Sequence, residues 1–201
     1  MSTKIESKEF TEDIALSDQI SSSITDIGEI QKRYLEEEFK TICQFTKGLF
    51  RLGLVEECTK TLAMRRMKHT FQQKIGSMGL ISAKEFIKEL LEKENLSVDL
   101  LKKSLILLRT IVLSKNVYCL DLNIETTIKL LSGCIFVICQ DDRFGNFKMD
   151  YKTLSKVLKF YPRTLKCMSS DLLRVFGNKL EISKRSEIEY HNWIKTLKKH
   201  F

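Results

Sequence analysis

From Tyr34 onward, apolar residues recur at helical steps. Leu35, Phe39, Ile42, Phe45, Leu49 and Leu52 fall three or four apart, one stripe of an amphipathic helix, with Gly53 placed to stop it. Upstream the chain is polar. A helical pattern begins near Ile14, and SSSITD at 21–26 is expected to interrupt it, so residues 1–25 read as a loosely ordered polar amino terminus. A second helix is predicted over about 56–75, its stripe formed by Leu62, Met67, Phe71 and Ile75, with Gly76 and Gly79 ending it. Ser82 and Glu85 then have the spacing of a capping box, in which each side chain serves the other's backbone amide. The helix that follows buries Phe86, Ile87, Leu90 and Leu91, and Asn95 and Ser97 break and restart the chain.

Two later segments are apolar over more than half of their circumference, as central helices are. One carries Leu100, Leu101, Leu105, Leu108, Ile111 and Val112; the other, capped by Asn123, carries Ile124, Ile128, Leu131, Ile135 and Ile138. A loop at 141–147 leads to shorter helices at about 150–160, 163–176 and 186–200. Pro162 sits near the first-turn position that proline prefers. Ser186 and Glu189 form a second capping-box candidate. The pattern therefore predicts an all-α protein of about seven helices, with residues 26–201 as one helical-repeat domain. HEAT-like antiparallel pairs suit two all-round apolar helices, since each repeat buries its face on its neighbours. A compact non-repeat helical bundle is the alternative.

Composition agrees. One Pro and 8 Gly in 201 residues leave too few turn formers for an all-β chain. The net charge is +8, but its distribution says more. Residues 1–58 hold 7 basic and 12 acidic side chains, residues 59–142 hold 13 and 9, and residues 143–201 hold 14 and 5. An acidic front and a basic tail suggest a polarised surface for an acidic partner, nucleic acid included; solvated Lys-rich helix faces are the plainer reading. Six cysteines lie mostly in apolar stretches, none as C-x-x-C, and read as buried free thiols in a reducing compartment. The amino terminus has no apolar core of the kind a secretion signal needs, and the longest apolar runs are about half of a bilayer span. The expectation is a soluble protein of the cytoplasm or nucleus.

Enzyme motifs are absent: no phosphate-binding loop, nucleophile elbow, zinc-protease helix or dinucleotide fingerprint occurs. Asp141, Asp142 and Asn146 do not complete a calcium loop. No catalytic residue, metal, cofactor or small-molecule substrate is expected. Arg65, Arg66 and Lys68 form a compact basic cluster and are the candidate partner-binding residues, because guanidinium forks suit carboxylates and phosphates. Their other reading is the wet face opposite Leu62 and Phe71. Lys195, Lys198 and Lys199 beside Tyr190, Trp193 and Phe201 resemble a single-strand binding pattern, although the helical spacing of the aromatics favours core packing.

The stretch from Thr61 to Leu80, with Leu62, Ala63, Arg65, Phe71, Gly79 and Leu80, resembles a segment near the start of the conserved carboxy-terminal domain of the Wapl (wings apart-like) family. Lys47-Gly48-Leu49 is similar to the end of that family's preceding helix. Leu113 to Asn116 with Leu120-Asp121-Leu122 are similar to a family loop, and Trp193 stands where the family often has a Trp followed by basic residues. The resemblance covers about residues 25–201, with 61–80 its specific part, and corresponds to the first part of the family domain. It implies a HEAT-like fold and a non-enzymatic nuclear regulator that promotes release of cohesin from chromatin. The implied partners are the cohesin ATPase heads and HEAT-type regulatory subunits, with chromatin association indirect and no membrane partner. An unrelated HEAT or armadillo adaptor and a basic nucleic-acid-binding helical domain are the rival readings.

Overall fold

The computed structural model describes residues 6–51, 61–72, 82–92, 94, 96–144, 147, 149–177 and 180–200. Among them lie eight α-helices: α1 (Glu6–Arg51), α2 (Leu62–Gln72), α3 (Ala83–Glu92), α4 (Val98–Val112), α5 (Ile124–Gln140), α6 (Tyr151–Leu158), α7 (Pro162–Phe176) and α8 (Lys184–Leu197). Two short 3-10 turns, Lys115–Cys119 and Asp142–Phe144, complete the regular structure, so the all-α expectation holds. The predicted stops at Gly53, Gly76 and Gly79 lie outside the described residues.

The chain divides into two compact units, Met1–Tyr34 and Leu35–Phe201. In the first, the helix runs through SSSITD at 21–26, where the sequence pattern predicts a break. Ser and Thr each cost a helix interior less than about 0.7 kcal/mol, and the segment contains no Pro to remove a backbone donor.

In the second unit α5 is the hub. Every residue from Thr126 to Cys139 is buried, and α5 packs on α4 and α7 and also on α2 and α3. A helix sheathed on all sides needs apolar residues around its whole circumference, which this segment supplies. Burying each Leu, Ile or Val there contributes roughly 1.5–3 kcal/mol. One cation lies within this helix. Lys129 is 2% exposed; its Nζ meets Glu125 Oε1 at 2.6 Å and donates to the Phe71 carbonyl at 3.3 Å. That carbonyl is in the last turn of α2, where helices lack internal donors, so the lysine answers a need of the neighbouring helix. Gly133 lets α7 approach: a Cβ there would lie 2.7 Å from Leu172 Cδ1 and 3.6 Å from Met168 Cβ.

The remaining helices attach to this centre. Phe39 of α1 meets Phe86 of α3 at 6.2 Å between ring centroids, and Thr46 shares a 3.1 Å hydroxyl contact with Thr127 of α5. Tyr190 of α8 is fully buried and donates to Glu38 at 2.8 Å, and Trp193 stands edge-on to Phe45 at 5.5 Å. Tyr190 is thus a core residue and Trp193 packs half-buried against the core, as their spacing suggests; Phe201 lies outside the described residues. Lys103, early in α4, donates to the Phe144 carbonyl just beyond the end of α5, so α4 and α5 run antiparallel. Contacts between helices distant in sequence, α2 with α7 and α4 with α8, accompany those of neighbours.

The capping box closes as predicted: Ser82 N donates to Glu85 Oε2 at 2.9 Å, and Glu85 N to Ser82 Oγ at 3.2 Å. Asn123 caps α5, and Pro162 opens α7. The second capping box is shifted: Ser183 is the cap, its partner is Ser186, and Glu189 turns outward to arginines. Leu62 and Ile124 face solvent, 67% and 40% exposed, because each opens its helix ahead of the buried stripe; Met64, Met67 and Phe71 form that stripe in α2.

Gly133→Val should overpack the α5–α7 contact and lower stability by about 2–3 kcal/mol in denaturant unfolding, against a small effect for Gly28→Val, which has open space. Asp150 caps α6 by accepting from Lys152 N, Thr153 N and Thr153 Oγ1, which hold its carboxyl below the ordinary range. A depressed carboxyl stabilises the fold above the unfolded-state pKa and loses that contribution as pH falls through the folded-state value. Asp150→Ala should therefore lower the unfolding midpoint at neutral pH, and the deficit should shrink as acid protonates the Asp150 carboxyl in the folded state, measured by thermal unfolding across the acid range.

Candidate functional site

A concavity of about 600 Å³ lies between α2 and α7. From α2 it takes Arg65, Arg66, His69 and Thr70; from α7 it takes Arg163, Lys166, Cys167, Ser170, Asp171 and Arg174. Each helix buries the opposite face: Met64, Met67 and Phe71 on α2, and Leu165, Met168, Leu172 and Phe176 on α7. The steps 163, 166, 170 and 174 keep one line along α7, so its cations share a face. Two wet helix faces thus meet as the walls of one groove.

The charge in this groove is lopsided. Among the described residues, four arginines and a lysine line it, with one carboxylate, Asp171. Asp171 is buried, and Thr70 Oγ1 donates to its Oδ2 at 2.6 Å across the two helices. Among the described residues, no carboxylate forms an ion pair with Arg66, Arg163 or Arg174. A second concavity of about 420 Å³ between α4 and α8 makes the contrast. There Glu189 takes both Arg109, at 3.1 Å, and Arg185, at 2.9 Å, and its carboxyl is held below the ordinary range by those two hydrogen bonds, Arg185 first.

Of the three sequence-predicted contact residues, Arg65 and Arg66 line the groove and are exposed. Lys68 is half-buried and lies outside the groove lining. Sequence reasoning did not single out Arg163, Lys166 or Arg174; their one-face spacing on a helix opened by Pro162 was the available signal.

The cysteine expectation needs one correction. Cys43, Cys134 and Cys139 are buried, and desolvation pushes their thiols up, to about 12 for Cys139. Such thiols are poor nucleophiles. Cys167 is instead exposed on the groove wall, because it falls on the wet side of α7. Cys58 lies outside the described residues. Asp141, considered for a metal loop, is engaged by Arg143 through Nε at 2.9 and 2.8 Å. Among the described residues no three His, Cys, Asp or Glu side chains gather as metal ligands, and no helix is long and apolar enough to cross a membrane.

No protein-family model and no curated protein matches the chain.

The Thr70–Asp171 bond ties the groove walls together. Thr70→Val should leave a buried carboxylate short of a donor and cost about 1–3 kcal/mol of unfolding free energy with an unchanged denaturant slope.

Proposed function

We propose that this chain is a non-catalytic docking domain that holds an acidic surface of a partner protein in the α2–α7 groove. The observation that carries the reading is the charge there: among the described residues, Arg66, Arg163 and Arg174 line the groove without an ion pair to a carboxylate, and the one described carboxylate of the lining, Asp171, already accepts from Thr70. Like charges gathered within about a Debye length of 8 Å repel one another and oppose folding. A complementary partner removes that cost and gains charge-assisted hydrogen bonds.

The identity of the partner rests on the resemblance of residues 61–80 to Wapl proteins. Its described part is α2, which supplies Arg65 and Arg66. On that ground the chain is a nuclear, Wapl-like regulator that promotes cohesin release, with cohesin ATPase heads or HEAT-type subunits as partners. An unrelated helical adaptor would use the same groove on another complex. For the finer architecture, the antiparallel α4–α5 pair supports HEAT-like pairing. The sheathing of α5 and the α2–α7 and α4–α8 contacts favour the compact bundle, which we adopt.

Affinity capture from nuclear extract with the whole chain should recover cohesin subunits in stoichiometric amounts, and Arg66→Glu with Arg163→Glu should reduce recovery by about tenfold or more, the equivalent of 1.4 kcal/mol. Recovery of a different complex would replace cohesin by another partner. Undiminished capture by the double variant would remove the groove from the docking surface.

A further inference from the structure

We infer that the α2–α7 groove receives a phosphorylated serine or threonine side chain carried on a segment of the partner protein. The inference rests on the docking reading above and names the chemistry of its ligand.

Among the described residues, four of the five Arg and Lys side chains lining the groove are arginines, two on each wall: Arg65 and Arg66 on α2, Arg163 and Arg174 on α7. Guanidinium forks present parallel donors to two oxygens of one anion, which an ammonium cannot do. A carboxylate guest has two oxygens and one charge, enough to engage one wall. A phosphomonoester carries about −1.5 to −2 charges and three acceptor oxygens, so it accepts from both walls at once. The cations surround one concavity of about 600 Å³, the size of a site for a side chain and its flanking residues.

The same lining favours a peptide over a nucleic acid. Asp171 at the groove, held by Thr70, accepts hydrogen bonds and repels a second anion, whereas a polypeptide offers backbone amides beside its phosphate. Ser170 adds a hydroxyl with both capacities. Among the described residues no Phe, Tyr or Trp lines the groove, and single-strand binding sites depend on such rings for base stacking.

The test uses the whole chain and degenerate 11-residue peptide pools with a fixed central phosphoserine or serine, read by fluorescence anisotropy. The phosphoserine pool should bind about tenfold tighter or better than the serine pool, and inorganic phosphate should displace it. Arg66→Gln and Arg174→Gln should each weaken the phosphopeptide severalfold with unchanged melting temperature, while Lys68→Gln, outside the groove, should not. Bound phosphopeptide should also slow maleimide labelling of Cys167, read by peptide mass spectrometry. Equal binding of the two pools overturns the phosphate assignment, as does displacement of the phosphopeptide by a single-stranded oligonucleotide that binds more tightly than it. If neither pool binds while Arg66→Glu with Arg163→Glu still abolishes partner capture, the phosphate assignment falls and the docking reading stands. If that double variant captures normally, the docking reading itself falls.

Discussion

The burial of α5 on every side is the constraint from which the rest of the second unit follows. With no wet face among residues 126–139, this helix can be covered only by partners placed all around it. Helices α2 and α7 are each half apolar, so both turn their stripes inward and their polar faces outward. Being neighbours on α5, they bring those polar faces side by side. The groove is therefore a by-product of core packing. The missing side chain at Gly133 sets how closely α7 seats, and Lys129 reaches the carbonyl end of α2, joining hub and groove wall through one buried ammonium.

Ion pairing distinguishes this groove from several other charged sites among the described residues. Some cations elsewhere find carboxylates: Lys159 with Glu89 at 2.7 Å, Lys103 with Asp99 at 3.1 Å, Lys84 with Glu37 at 3.4 Å. Exposed pairs of this kind contribute little to stability, about 0–1 kcal/mol each, but they leave little field for a partner. In the groove, Arg66, Arg163 and Arg174 line a concave wall with no ion pair to a described carboxylate. The acidic triplet of α1 is used internally instead, with Glu36 toward Lys84 of α3 and Glu38 holding Tyr190 of α8.

Features legible along the chain were those whose physics is local. A capping box needs only two side chains three residues apart, and Ser82 with Glu85 delivers it. The apolar run at 130–139 marks a central helix from sequence alone, and the structure buries 126–139 throughout. The shifted cap of α8 shows the limit of such signals: Ser183 and Ser186 both suit the first position of a box, and the choice fell where the chain leaves Leu180 and turns. Leu62 and Ile124 looked like stripe residues because periodicity reports phase and not where a helix begins to be covered. The expected break at 21–26 rested on residues that merely weaken a helix.

By itself the sequence determined that the chain is helical, which helices are central, where most of them start, and that its basic residues accumulate toward the carboxy terminus. Those properties depend on spacing within about twenty residues, which the chain carries wherever it folds. Only tertiary structure decided that Arg66 and Arg174, more than a hundred positions apart, share one concavity, that Lys68 does not join them, and that Cys167 faces outward while Cys134 does not. Each of these depends on which helices cover α5 and at what rotation, a packing solution found collectively by side chains far apart in the chain.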